Sequence, residues 1–296
     1  MQETASAAAR APTARTPLRS WYALGLLFLV YVFNFIDRSI LGILNQAIKE
    51  DLNLSDTQMG FLGGIAFAIF YTFLGIPIAR LADRSVRRNV LAASLAIWSI
   101  MTALCGAAGN FLHLLLARIG VAVGEAGGSP PSHSMISDIF PRHRRALALS
   151  IFSMGVYFGY LVAYSLGGWV AEDLGWRMTF VIVGLPGVLL AVIVAVTVRE
   201  PPRGLAERAG AASSGDPGPG ARLEQEMAAR PTFRDTLTLL WSRRSFRHIA
   251  MACSLHSVVG YGIGNFVPSF MMRAYEMPIG DVGWRLALVT GVGGAF

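Results

Sequence analysis

Charge is what this chain has least of. Only 15% of its 296 residues are Asp, Glu, Lys or Arg, while 54% are hydrophobic and the mean hydropathy is +0.52. A soluble fold of this length cannot hide so much apolar side chain and still cover itself with polar groups, so the composition defines an integral membrane protein. Cysteine is scarce as well. Cys105 and Cys253 both fall inside apolar stretches, where a lone thiol behaves as a small hydrophobe, so neither a disulfide nor a metal site is expected. His113, His133 and His256 are too scattered to gather round a metal; His133, which follows Pro130-Pro131, is the one best placed to relay a proton. Lysine is nearly absent. Lys49 is the single example among 25 basic residues, and this bias toward arginine points to a GC-rich bacterial genome and hence an inner membrane. No phosphate-binding glycine loop, nucleophile elbow or zinc-helix motif is present. With no base and nucleophile pair to propose, the chain does not read as an enzyme, and no cofactor is expected.

What the sequence does have is long apolar runs. Stretches of about 20 such residues predict spans at Trp21 to Gln46, Gln58 to Ala82, Asn89 to Ala108, Phe111 to Phe140, Ala146 to Ala171, Met178 to Val198 and Phe246 to Met272. An eighth begins near Asp281 and reaches Phe296. At 1.5 Å per residue it covers roughly 24 Å, less than the roughly 30 Å hydrocarbon layer, so the chain is expected to be a fragment cut inside a helix. The first span is no cleaved signal: its run is too long, Asp37-Arg38 lies inside it, and no small-residue cleavage site follows. The expected organisation is a disordered polar tail over 1–20, a six-helix domain over 21–198, a linker over 199–245, and over 246–296 the start of a second transmembrane domain, comprising helix seven and part of helix eight.

Most basic residues lie in the tail and in every second connection: Arg10, Arg15 and Arg19; Arg80, Arg84, Arg87 and Arg88; Arg142, Arg144 and Arg145; and the series from Arg199 to Arg247. Lys49, Arg177, Arg273 and Arg285 fall on the other side. The positive-inside rule then puts the tail, the N-terminus and those connections in the cytoplasm. The net charge of +7 reflects this topology and contact with anionic lipid, not nucleic-acid binding. Within the linker, Pro201-Pro202 and Gly210 to Gly220 read as flexible. Phe233, Leu237, Leu240 and Trp241 follow at helical spacing among Arg234, Arg243, Arg244 and Arg247, the pattern of a short helix lying on the inner leaflet.

Three ionisable residues interrupt the apolar runs at depth: Asp37 in the first span, and Arg118 and Glu125 in the fourth. Such groups are costly in a bilayer and mark pathways, relays or gates. At about 100° per residue, Arg118 and Glu125 point within about 20° of one another, with Gly120, Gly124, Gly127 and Gly128 on the far side. Asn34, Asp37, Arg38 and Asn45 share one arc of the first span. In the fifth, Ser150, Ser153, Tyr157, Tyr160 and Tyr164 face away from Gly155 and Gly159. Each helix therefore has a polar side for a cavity and a tight side for a neighbouring helix. The functional reading is a water-accessible cavity in which Asp37 and Glu125 bind protons under the influence of Arg118; the structural alternative is an Arg118–Glu125 ion pair that locks the helices. Asn34, Tyr157, Tyr160 and Asn265 are candidates to line an amphiphile site, with Arg118 facing its anionic head group. Each, taken singly, equally suits an interhelical hydrogen bond. Pro77, Pro186 and Pro268 also fall within spans, where proline kinks a helix.

Ala79-Arg80-Leu81-Ala82-Asp83-Arg84-Ser85-Val86-Arg87-Arg88 resembles the loop between helices two and three of the major facilitator superfamily, with two family glycines replaced by Ala79 and Val86. Gly175-Trp176-Arg177-Met178-Thr179-Phe180 resembles the entry to its sixth helix. Asn34-Phe35-Ile36-Asp37-Arg38, and Arg118 through Gly124-Glu125-Ala126 to Pro130-Pro131, look like its spinster-like branch, which includes transporters of sphingosine-1-phosphate and lysophospholipids and whose bacterial members are taken to be proton-driven. The resemblance implies an all-α membrane fold with a six-helix N-terminal bundle and a truncated C-terminal one, alternating access around a midplane cavity, and a monomer when full length. It also implies a gate in which Asp83, Arg84, Arg87 and Arg88, partnered by Asp138, hold the two bundles together in one state. The expected function is proton-coupled transport of a lysophospholipid- or sphingoid-like amphiphile. A drug or small organic-anion transporter is the alternative within the class, and a non-transporting membrane sensor or scaffold the alternative outside it.

Overall fold

The computed structural model describes residues 17–204 and 233–294. Nearly all of the 1–20 tail, the Gly210 to Gly220 stretch and the last two residues of the eighth predicted span lie outside the described residues. Among those described, every regular element is helical.

Helix α1, Leu18–Asp51, starts directly after Pro17, which lacks an N–H and is therefore suited to a helix entrance. It ends where Asn53 takes a positive φ of 51°, a conformation asparagine tolerates better than most residues. A capping box opens α2, Asp56–Gly60: the Gln58 N–H donates to Ser55 Oγ at 3.2 Å and the Ser55 N–H to Gln58 Oε1 at 2.9 Å. A π-helical stretch, Phe61–Ile65, carries the chain into α3, Ala66–Arg84. Then come α4, Arg87–Cys105, and α5, Phe111–Glu125, whose first turn is capped by the Asn110 side chain accepting from the His113 N–H at 2.9 Å. Helix α6 is Ser129–Ile139 and α7 is Arg142–Thr197. Beyond the linker lie α8, Phe233–Ser242, α9, Arg244–Tyr275, α10, Ile279–Leu286, and a second π-helical stretch, Ala287–Val292.

Two predicted boundaries differ from the structure. The fourth span, expected to run unbroken from Phe111 to Phe140, is interrupted over residues 126–128, so α5 stops at Glu125 and Pro130-Pro131 fall in the first turn of α6. Proline is accepted there because first-turn N–H groups have no intrahelical partner. The connection expected between the fifth and sixth spans shrinks to one residue, Gly175, at φ 79° and ψ 166°. Only glycine enters that region freely, and it divides α7 into two limbs. Among the described residues five helical stretches are long and apolar enough to cross a membrane. One of these, α7 with 56 residues, is about 84 Å long and serves for two crossings. The protein is thus a multi-pass membrane protein.

Glycine sets how the bundle packs. The glycine face of α5 lies on α4: Gly120 against Met101, Gly124 against Trp98, Gly127 against Ser94. The first limb of α7 does the same to α1, with Gly155 against Phe28 and Tyr31, Gly159 against Val32 and Phe35, and Gly167 against Ile40 and Ile43. Its second limb reaches α4 through Gly184 at Ser99 and Ala103. Trp98, Phe152 and Phe180 fill the interior, while Phe73, Leu189 and Val196 stand exposed on the outside, as suits a bundle whose surroundings are themselves apolar.

Candidate functional site

Helices α1 and α9 run in the same direction and touch from their middles onward. Arg38 donates to the Tyr261 hydroxyl at 3.3 Å, Gly42 lies against Gly264 and Asn265, and Ser269 Oγ donates to Asn45 Oδ1 at 3.2 Å. At the far end Arg273 donates to Gln46 Oε1 at 2.6 Å and to the two Asp56 oxygens at 2.7 and 3.1 Å. The first half of α9, including Met251, Leu255 and Val258, is exposed. The two helices therefore bound a wedge that is closed at the far end and opens toward the end carrying Arg80 to Arg88. Arg38 sits at its apex.

Four charged side chains meet there. Asp37 and Glu125 are 0% exposed, Arg118 is 2% exposed, and the Arg38 side chain is 14% exposed. Arg38 Nε donates to Glu125 Oε2 at 2.5 Å. The ion pair weighed between Arg118 and Glu125 is thus made by Arg38 instead. Seven residues of helix put Arg118 about 10 Å from Glu125 along the axis, and Arg118 spends one terminal nitrogen on the main-chain carbonyl of Asp37 at 3.0 Å. The Phe67 ring of α3 lies between the two guanidiniums, its centroid 5.3 Å from Arg38 Cζ and 5.4 Å from Arg118 Cζ. Tyr71 faces Arg38 at 4.6 Å. Such contacts hold a cation in place without a counter-ion.

Asn34 is buried beside Glu125, and Tyr160 packs edge-on against Phe35 at 5.7 Å, the ring that also lies under Arg38, while stacking on Tyr164 at 6.0 Å. Tyr157 lies away from the apex, against Gly294. Asn265 is committed to a helix-to-helix bond, donating to the Gly63 carbonyl at 3.1 Å. The structure therefore gathers Asn34, Asp37, Glu125 and Tyr160 round Arg38, and sets Arg118 behind them. Phe67, Tyr71, Trp98, Thr102 and Tyr261 were not expected at the site. The spacing of Phe67 and Tyr71, and of Trp98 and Thr102, four apart on one helix face, was the trace they left in the sequence.

At the basic end Arg87 is buried and uses every direction of its guanidinium. It donates to Asp138 Oδ2 at 2.5 Å, Ser134 Oγ at 2.7 Å, Glu200 Oε1 at 2.7 Å and the Pro201 carbonyl at 2.7 Å. Glu200 also accepts from the Arg88 N–H at 2.8 Å, and Asp138 from the Gly204 N–H at 2.9 Å. Arg203 donates to the carbonyls of Ala82, Asp83 and Ser85, which end α3 without helical partners. Arg87 and Asp138 are thus brought together with the opening of the linker, not with the second bundle, whereas Asp83 and Arg84 are exposed. Arg87→Ala leaves two carboxylates facing each other without a cation and is expected to cost about 3 kcal/mol; Arg84→Ala is expected to stay within about 0.5 kcal/mol. Thermal unfolding of the two variants in detergent checks this contrast.

The fold is a helical membrane bundle that gathers two acids and two arginines around the apex of a wedge. Residues 27–296 match the model of the Major Facilitator Superfamily, and the chain belongs to that family. A crystal structure of a bacterial homolog of the human lysosomal transporter Spinster, inward-facing and unoccupied, superposes with a TM-score of 0.80 at 36% identity, over 93% of this chain and 60% of that one. An MFS-type efflux pump of Mycolicibacterium smegmatis is 35% identical over 93% of this chain and 60% of its own length. Two further relatives differ in what they are named for: a sphingosine-1-phosphate transporter of Danio rerio, 27% identical over 88% of this chain and 49% of its own, and a probable galactarate/D-glucarate transporter of Bacillus subtilis, 34% identical over 61% and 41%. The chain therefore spans at most 60% of the length of these four.

Proposed function

We propose that the protein is a proton-coupled secondary transporter of an anionic amphiphile, of lysophospholipid or sphingoid type, working by alternating access. The observation that carries this reading is the unequal treatment of two buried acids. Glu125 is neutralised by Arg38, whereas neither oxygen of Asp37 has a hydrogen-bond partner among the described residues. A bare carboxylate in such a place costs several kcal/mol, so Asp37 holds its proton in this conformation while Glu125 keeps its charge. An anionic head group entering the wedge meets Arg38 first. Once it occupies the guanidinium, Glu125 loses its cation and takes up a proton, which links substrate binding to proton binding through one arginine. Tyr160 and Tyr261 offer an amphipathic wall beside it.

In this reading the basic end, the tail and the mouth of the wedge are cytoplasmic, and α8 lies on the inner leaflet with Leu237, Leu240 and Trp241 exposed toward lipid. A second reading keeps Arg38 and replaces the amphiphile by a small organic anion; the relative named for sugar acids supports it.

The test is flux through the reconstituted full-length protein under an imposed pH gradient, with a panel of lysolipids and sugar acids. Gradient-driven flux of an anionic lysolipid is expected, and Arg38→Gln is expected to cut it by about tenfold or more, as for loss of a charged hydrogen bond, with a smaller effect on zwitterionic lipids. Flux of sugar acids alone moves the conclusion to the second reading. No flux of any substrate, with no pH-dependent change of conformation, makes the protein a non-transporting sensor or scaffold.

A further inference from the structure

The third span, α4, supplied no candidate residue, yet it brings two polar side chains to the buried acid of α1. Trp98 and Thr102 face the Asp37 carboxyl, and both are 0% exposed. Neither the indole Nε1 nor the threonine Oγ1 has a hydrogen-bond partner among the described residues, and both carboxyl oxygens of Asp37 are in the same condition. An indole N–H can only donate. Two idle donors beside two idle acceptors, all out of reach of water, are an arrangement folded proteins avoid unless it is resolved in another state.

Trp98 is also held firmly. Gly124 of α5 lies against its main chain and Cβ, and Gly128, in the break that follows α5, against the far edge of its indole, where a Cβ would stand 2.6 and 3.4 Å away respectively. A larger side chain at Gly124 would shift α4 itself and one at Gly128 would press on the ring, so these glycines also fix where the indole N–H is aimed.

We propose that Trp98 and Thr102 are positioning residues that receive the Asp37 carboxylate after its proton leaves. This rests on the proton-coupled reading above and adds a third helix to the coupling machinery. In the proposed protonated state of Asp37 both donors stay idle; ionised Asp37 accepts from both at once, and these two charge-assisted bonds set how readily the proton is released. The other groups facing Asp37 are Arg118 and Glu125 on α5 and Cys105 on α4; Arg38, next in sequence, is taken up by Glu125, with Tyr31, Tyr71 and Tyr261 around it. Of these Arg118 supplies charge, while Trp98 and Thr102 supply direction.

The experiment is infrared titration of the full-length protein in lipid, following the protonated-carboxyl band that Asp37→Asn removes. Losing a donor to the ionised form disfavours that form, so Trp98→Phe and Thr102→Val are each expected to move the midpoint of this band upward by about one pH unit. Thr102→Ser, which keeps the hydroxyl, is expected to restore the wild-type midpoint. Unchanged midpoints in Trp98→Phe and Thr102→Val overturn the assignment and leave the transport reading intact. A wild-type protein with no titrating band at Asp37 overturns both. If Trp98→Phe fails to fold, the Thr102 pair alone decides.

Discussion

Glu125→Gln in the full-length protein is expected to abolish flux driven by a pH gradient while substrate exchange at equal pH persists. Glutamine keeps the shape of the side chain and can accept a bond from Arg38, but it neither carries the charge nor exchanges a proton. Arg38 is then left over Phe67 and Tyr71 with its carboxylate gone. Removing one partner from a buried pair costs about 3–5 kcal/mol, and the surviving amide contact places the expected loss near the lower figure, read as a fall in the thermal unfolding midpoint. Asp37→Asn provides the contrast. Asparagine imitates the protonated acid proposed for this conformation, so gradient-driven flux is again expected to vanish, with stability unchanged. Wild-type gradient-driven flux in either variant contradicts the coupling role, and equal destabilisation by both contradicts the different states assigned to the two acids.

Gly124→Val is expected to prevent accumulation of folded protein. A Cβ at this position would stand 2.6 Å from the Trp98 main-chain nitrogen, 2.7 Å from the Trp98 Cβ and 3.0 Å from the Ser94 carbonyl oxygen. Two of these atoms belong to the α4 backbone, so the strain is relieved only by moving the helices apart. Overpacking a well-fitted contact costs about 1–3 kcal/mol when side chains can give way, and here they cannot, so the upper end or more applies. Gly64 has nothing within 4 Å of the same virtual atom. Gly64→Ala is therefore expected to be neutral or slightly stabilising, by up to about 1 kcal/mol from helix propensity. The amount of monodisperse protein recovered from membranes, with thermal unfolding of what is recovered, separates the two outcomes.

Much of this fold is legible because a bilayer permits so few solutions. Length and hydropathy give the spans, and the period of the helix places Gly120, Gly124 and Gly127 on the side that meets α4. What periodicity cannot give is which partner a buried charge chooses. Arg118 and Glu125 share a face of α5, which made their pairing attractive, but they are two turns apart, while Arg38 approaches Glu125 from another helix. That choice depends on how α1 and α5 are set against each other and on Phe67, whose one trace in the sequence, its spacing from Tyr71, is shared by any packed helix face. The basic end shows the same limit: Asp138 meets Arg87 of the basic cluster, as its position suggested, but the other partners of Arg87 carry no mark in the sequence. Glu200 and Arg203 follow the sixth span as ordinary linker residues, and only the fold shows them closing over the end of α3 and the start of α4.

The glycine contacts sort most of the helix packing into two sets: α1 on the first limb of α7, and α4 on α5 and the second limb. The Arg38 bond to Glu125 and the Arg118 bond to the Asp37 carbonyl both cross from one set to the other. Each acid-bearing helix thus borrows its arginine from across that seam, and the charge surroundings of the two carboxyls are fixed by how α1 and α5 are set against each other.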